Sequence, residues 1–342
     1  MLPSKKALVR VAIACNSKEM RLRTRRILEQ QGLIVVADGP LELPFLTTAE
    51  SYHANVLFVE LDEAYEEQAQ VLEKLLEQAS LPMLFNEGIF QDKKKRTTLA
   101  KWGQRVSEKL TKLATSTPPR ITATGETATP INSVGFSVEE EKAPQRVWVL
   151  GASTGGPQAL RRFLSAIPGT LPIAFIVAQH IGSNFLELFT KQLSKYTRFS
   201  VEVPKSGHLL QHQQILIAPE KHDLSFDDNC CLTLLPTVRD YRYSPSIDLL
   251  MCKVSKRFGP MAGAIIFSGM GDDGAQGCRY LFANGGTVWA QDAASCEISS
   301  MPDYARATGA VSFSAPPEEL ARNLVKLLGK AKDGASQQGA IN

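Results

Sequence analysis

The sequence predicts an α/β protein of two domains, and three observations carry that reading. Short apolar runs suited to buried strands alternate with segments of helical periodicity along most of the chain. A polar stretch rich in Thr, Ser, Pro and Glu interrupts the alternation, which then starts again. The chain has 342 residues, enough for two cores of ordinary size. Strands joined through helices lie parallel, so each half should be a parallel sheet covered on both faces, the second one doubly wound.

In the first half, residues 9–14 read as a buried strand and 19–30 as a helix closed by Gly32. Residues 33–37 and the fully apolar 56–59 read as strands, 66–78 as a helix and 81–85 as a further strand. Residues 7–112 then form the first domain. From 113 to 145 the chain is Thr, Ser and Pro followed by Glu139-Glu140-Glu141, with Phe136 its only aromatic residue. Such a segment buries too little apolar surface to offset chain entropy and is expected to be a flexible linker.

The second domain spans 146–330. Residues 147–150 are a strand, followed by a Gly-rich turn and a helix over 157–167. Residues 173–178 are a strand and 184–196 a helix, while 215–218 and 231–235 are expected to pair as an inserted β-hairpin. Residues 247–258 are helical, and 264–267, 287–290 and 310–313 complete the sheet. The small, polar residues 331–342 are expected to be a disordered tail.

Composition excludes several functional classes. Hydrophobic residues make up 44% and charged residues 21%, a soluble globular balance. A net charge of +3 gives no reason to expect nucleic acid or an anionic membrane as partner. No apolar run reaches membrane-spanning length, and Arg10 interrupts the only segment that imitates a leader, so a cytoplasmic protein without membrane insertion is expected. The six cysteines (Cys15, Cys230, Cys231, Cys252, Cys278 and Cys296) form no C-x-x-C pair, and the five histidines offer no zinc-ligand spacing. Scattered thiols in a reducing compartment, with no metal and no cofactor, is the expectation.

The chemistry is concentrated at Gly151-Ala152-Ser153-Thr154-Gly155-Gly156-Pro157, between a strand and a helix. A serine between glycines at such a turn projects above the carboxyl edge of the sheet, beside the free N–H groups of the next helix, which can stabilise an oxyanion. A phosphate loop would need Lys after Gly156, where Pro157 stands, and a dinucleotide fingerprint would need glycine at Ser153. A tight turn with an incidental serine remains open on this segment alone. A serine nucleophile also needs a histidine base and a carboxylate to orient it. His180 follows the strand over 173–178, and Asp272 and Asp273 follow the strand over 264–267. Three strand ends each delivering one member is a poor accident. Both aspartates come after the last histidine, His222, so the order is Ser, His, Asp and the α/β-hydrolase fold is excluded.

Residues 147–328 resemble the catalytic domain of the bacterial chemotaxis protein-glutamate methylesterase. Besides the serine turn, the matching stretches are Ala178-Gln179-His180, Ile217-Ala218-Pro219 with His222, Ser244-Pro245-Ser246-Ile247-Asp248, Ser268-Gly269-Met270-Gly271-Asp272-Asp273-Gly274-Ala275 and Gln291-Asp292. The resemblance implies Ser153 as nucleophile, His180 as base and Asp273 as orienting acid, with Thr154 and Met270 supporting the oxyanion hole and Asp272 outside the triad. It implies hydrolysis of glutamate γ-methyl esters on chemoreceptor cytoplasmic domains, and sometimes glutamine deamidation, without metal or cofactor. Two departures fall in loops: Pro219-Glu220-Lys221 lacks the family's usual glycines, and Ser299-Ser300-Met301-Pro302 lacks a glycine before Met301.

In that family a phosphorylated receiver domain, of flavodoxin-like fold, usually precedes the linker. Here Cys15-Asn16-Ser17 stands where the family has Asp-Asp-Ser, and Glu60 falls at the phosphoacceptor position. Two carboxylates are needed to hold Mg²⁺ against a phosphoryl group, and neither Cys15 nor Asn16 supplies one. The first domain is therefore expected to be a truncated pseudo-receiver, with Asp62 a weak alternative acceptor and Lys93-Lys94-Lys95-Arg96 a solvated helix face. It would dock a chemosensory histidine kinase or adaptor. A non-catalytic adaptor and a general small-ester hydrolase are the competing functions.

Overall fold

The computed structural model describes residues 9–61, 71, 81–87, 99–115, 144, 146–237 and 242–338, and the chain divides into two compact units, 1–118 and 119–342. The helix expected over 66–78 (Val71 apart), the basic run at 93–96, Asp62 and all but the edges of the linker lie outside the described residues.

The first unit is a parallel sheet of β1 (Arg10–Ala14), β2 (Ile34–Gly39), β3 (Val56–Leu61) and β4 (Met83–Glu87), in the order β2-β1-β3-β4. That is the flavodoxin-like order without a fifth strand among the described residues. The two inner strands are the most apolar, and Val11, Ala12, Ile13 and residues 56–59 are fully buried. Helix α1 (Lys18–Gln30) starts where the Ser17 hydroxyl accepts the Met20 N–H at 3.3 Å. Two further helices, α2 (Leu43–Ser51) and α3 (Leu99–Thr115), complete the described part.

The second unit carries a seven-stranded sheet of β5 (Arg146–Ala152), β6 (Ile173–Gln179), β7 (Ser200–Glu202), β8 (Gln214–Ile217), β11 (Ala262–Ile266), β12 (Thr287–Gln291) and β13 (Phe313–Ala315). Its order is β13-β12-β11-β5-β6-β8-β7, and every neighbouring pair is parallel. A separate antiparallel hairpin is formed by β9 (His222–Phe226) and β10 (Leu232–Pro236). The helices are α4 (Gly156–Ser165), α5 (Leu186–Ser194), α6 (Ile247–Phe258), α7 (Ala275–Ala283), α8 (Ser300–Ala307) and α9 (Pro317–Gln338).

Strand side chains sort by alternation into two cores. Trp148, Leu150, Phe175, Val177, Ile215 and Ile217 face α4, α5 and α9. Val147, Val149, Ala174, Ile176, Leu216 and Ile266 face α6, α7, α8 and the hairpin. Strands buried on both faces read as unbroken apolar runs, which is why these were legible.

Three expectations are corrected. The segment around 215–217 is an interior strand of the main sheet, paired with β6 and β7, and the hairpin partner of β10 is β9. Burial on both faces makes residues 215–217 of β8 apolar, whereas β9 and β10 mix buried Leu224 and Leu232 with exposed His222 and Leu235. The last strand lies at Phe313–Ala315, later than the 310–313 expected. The tail expected to be disordered from 331 continues as the helix α9 to Gln338.

The chain leaves β5 for β6 on one side and leaves β11 for β12 on the other. The carboxyl ends of the adjacent strands β5 and β11 therefore border a topological switch point, where open α/β sheets place their ligands.

Candidate active site

Ser153 is the first residue beyond β5. Its N–H donates to the Ser268 carbonyl at 3.1 Å, and its carbonyl accepts the Gly156 N–H at 2.9 Å and the Gln179 side-chain amide at 2.8 Å. Gly155 has φ +78°, and a Cβ there would lie 2.5 Å from Ser268 Oγ and 2.7 Å from Glu297 Cβ. Both the backbone conformation and the lack of space require glycine. Helix α4 then opens with Gly156-Pro157, a position where proline forfeits no helical hydrogen bond.

The register of β5 with β6 pairs Ala152 with Gln179, so Ser153 and His180 leave adjacent strands side by side, at a strand spacing of about 4.8 Å. The His180 N–H donates to the Ala152 carbonyl at 3.0 Å. Its ring Nε2 lies 2.8 Å from Asp273 Oδ2. The Asp273 side chain is only 1% exposed, and it also accepts the N–H groups of Ile247 at 2.8 Å and Asp248 at 3.0 Å. These are the first two residues of α6, so the carboxylate sits at a helix N-terminus, where negative charge is favoured. With Nε2 engaged by the acid, Nδ1 is the nitrogen left for a serine proton. The two nitrogens are exchanged relative to the protease template, in which the acid takes Nδ1.

Around the serine turn and the loop after β11, several N–H groups are spent internally. Gly269 donates to the Ile298 carbonyl at 2.9 Å and Gly271 to Ser300 Oγ at 2.9 Å. Among the described residues, the N–H groups of Thr154 and Met270 have no internal acceptor. Donors left over beside a nucleophile are what an oxyanion needs.

The sequence reading gave no role to four polar residues of this region. Ser300 stands before Met301, where the resembling family has glycine, and its hydroxyl holds the Gly271 N–H and reaches the Gly269 carbonyl at 3.1 Å, bracketing Met270. Glu220, in the other departing loop, accepts from the Ser183 N–H at 3.0 Å and hydroxyl at 2.6 Å, while its carbonyl accepts from the Ser244 hydroxyl. Tyr243 lies against His180 and borders a cavity of about 440 Å³ that also touches Asp248, Asp272, Asp273, Arg279 and Tyr304. Position next to recognisable motifs was the only signal for these residues.

Glu297 is the fourth. A Cβ on Gly155 would lie 3.0 Å from its Oε2, and among the described residues its carboxyl has no hydrogen bond or ion pair. Burial pushes the Glu297 carboxyl above the usual carboxylate range. The folded state therefore holds the proton more tightly than the unfolded chain does. That favours the fold at low pH, and the advantage is lost as pH rises through the folded value. Glu297→Gln should accordingly raise the melting temperature at pH 8, by ~2–4 °C for each ~1 kcal/mol relieved, and change it little at pH 4. Differential scanning calorimetry at the two pH values checks the sign; an equal gain at both would place the effect elsewhere.

The position resembling a phosphoacceptor is closed. Glu60 is buried at the end of β3, accepts the Thr24 hydroxyl at 2.5 Å and receives the Asn86 amide at 3.4 Å. Burial raises its carboxyl, partly offset by those hydrogen bonds. Asn16 Oδ1 accepts the Leu41 N–H at 2.7 Å, and the Arg21 guanidinium donates to the carbonyls of both Cys15 and Asn16. A fixed cation thus stands at the strand end where the resembling family keeps its metal-binding acids.

A family model described as CheB methylesterase matches residues 148–324, a span running from β5 into α9 and containing Ser153, His180 and Asp273. The protein-glutamate methylesterase/protein-glutamine glutaminase of group 1 operon from Pseudomonas putida is 35% identical over 162 residues, 47% of this chain and 44% of that protein. Protein-glutamate methylesterase/protein-glutamine glutaminase 3 of Pseudomonas syringae pv. syringae is 33% identical over 188 residues, 55% of this chain and 48% of that protein. The chain spans about half the length of the curated relatives it matches. Among solved structures, the Thermotoga maritima CheB methylesterase catalytic domain aligns with a TM-score of 0.51 and 25% identity, covering 53% of this chain and 98% of that one.

Proposed function

Because the chain belongs to the CheB methylesterase family, we propose that its second unit hydrolyses γ-methyl esters of glutamate side chains through Ser153, His180 and Asp273. The observation that carries the reading is the 2.8 Å His180–Asp273 pair at the ends of β6 and β11, set beside a serine at the end of β5. His180 Nδ1 takes the Ser153 proton as Oγ attacks the ester carbonyl. The resulting oxyanion is met by the unspent N–H groups of Thr154 and Met270. The imidazolium, held by Asp273, returns its proton to the leaving methoxide, and methanol departs. Water deprotonated by His180 then cleaves the acyl-enzyme to free glutamate and serine. A glutamine side chain would follow the same path and release ammonia.

The substrates that suit this chemistry are methylated chemoreceptor cytoplasmic domains, and a chemosensory kinase or adaptor is the partner for the first unit. Among the described residues no helix is long and apolar enough to cross a membrane. We place the protein in the cytoplasm with its substrate. Methanol release from a methylated receptor signalling domain, together with fluorophosphonate labelling of Ser153, tests the assignment. Binding of the receptor without labelling or release would favour a non-catalytic adaptor.

Regulation by phosphorylation is not expected. Transfer to a carboxylate needs a divalent cation with its own anionic ligands. Here Arg21 occupies that strand end, and Glu60 is sealed by Thr24. Acetyl phosphate with Mg²⁺ should neither label the protein nor change its esterase rate by more than about 2-fold, well under the 10-fold that 1.4 kcal/mol brings. Intact-mass spectrometry checks this; an acyl phosphate on Glu60 or Asp62 would overturn it.

A further inference from the structure

We propose that Tyr243 is a positioning residue for His180, holding the imidazole plane and tying it to the loop that carries Met270 and Asp273. The inference rests on the assignment of His180 as base. The Tyr243 ring lies flat on the imidazole, with 5.1 Å between centroids and 3° between planes. Its hydroxyl donates to Asp272 Oδ1 at 2.9 Å, and the Arg242 guanidinium lies 5.1 Å from the ring centroid and 3.3 Å from the same carboxylate.

A single hydrogen bond to Asp273 fixes one end of the imidazole and leaves the ring free to roll about that bond. A parallel ring on its face removes the roll and keeps Nδ1 aimed toward Ser153. The opposite edge of Tyr243 presses on the loop after β11. Gly271 has φ +109°, and a Cβ there would lie 2.4 Å from the Tyr243 oxygen. One side chain therefore touches the base and abuts the neighbour of the oxyanion donor. The charged groups around His180 are Asp272 and Asp273 from the β11 loop, Arg242 in the loop before α6, Asp248 at the start of α6, and Glu220, which bonds Ser183 three residues beyond the histidine.

The test uses the full chain and the methanol-release assay, with kcat and KM measured separately. Tyr243→Phe keeps the stack and should stay within about 3-fold of wild type. Tyr243→Leu should lose about 10- to 100-fold in kcat with KM little changed, within the range expected for a misplaced catalytic group. Tyr243→Met is read in the same way if the leucine variant loses its melting transition. Wild-type kcat in the ring-less variants would overturn the proposal. So would equal losses in Tyr243→Phe and Tyr243→Leu, which would make the hydroxyl the operative group. If Ser153→Ala stayed active, the underlying assignment would fall instead, and the two failures are thereby distinguished.

Discussion

Ser153→Ala is expected to abolish methanol release, with a fall in kcat of at least about 10⁴-fold and an unchanged fold. In the proposed mechanism the Ser153 hydroxyl is the attacking atom, so its removal leaves no acyl-enzyme to form. Structural damage should be slight, because the residue's internal bonds are made by its backbone: the N–H to Ser268, and the carbonyl to Gly156 and Gln179. Single-turnover methanol release and a melting curve check both halves of the expectation. Undiminished release would remove Ser153 from the chemistry.

The second large effect is expected at Asp273. Its oxygens accept from Ile247, Asp248 and the His180 ring, so the site asks for acceptors on every side. An asparagine must turn its NH₂ toward one of these donors. Facing His180, it would make Nε2 an acceptor and put the ring proton on Nδ1, where the serine proton has to land. Asp273→Asn should therefore cost about 10⁴-fold in kcat, as the wrong tautomer does in the protease triad. Asp272→Asn is the control. Its side chain is 46% exposed, and an asparagine oxygen can still accept from Tyr243, so a loss of only a few-fold is expected, in line with the small worth of an exposed ion pair. A steady-state comparison of the two variants settles the register; the reverse ranking would shift the acid by one residue.

Much of the fold was legible because of how parallel strands are buried. The runs around Val147, Ile173, Ala262 and Thr287 are apolar on both faces, and nothing but an inner strand reads that way. The same property misled at Ile215, where an apolar run beside a second one suggested a hairpin, while the true partner β9 begins with exposed His222 and carries half-polar residues. Helices α7 and α8 were missed because they are short and have weak start signals: α7 begins after Gly274 with no side-chain cap. In the candidate site, strand ends and chain order pointed to Ser153, His180 and an aspartate at 272 or 273, and only the family resemblance chose Asp273. Tyr243, Ser300, Glu220 and Glu297 were not legible, since they act by contacts across long sequence separations that leave no spacing to read.

Ser300 and Glu220 occupy loop positions where the resembling family favours glycine, and each supplies a tether in exchange for backbone freedom. Replacing glycine at a compatible site typically removes about 0.4–1 kcal/mol of unfolded-chain entropy. Here the side chain then ties its loop to a neighbour, Ser300 to the backbone on either side of Met270 and Glu220 to the segment after His180. A site stiffened in this way meets its target in a shape settled beforehand. It spends little ordering its loops on contact and has correspondingly little room to mould itself around a substrate of a different contour.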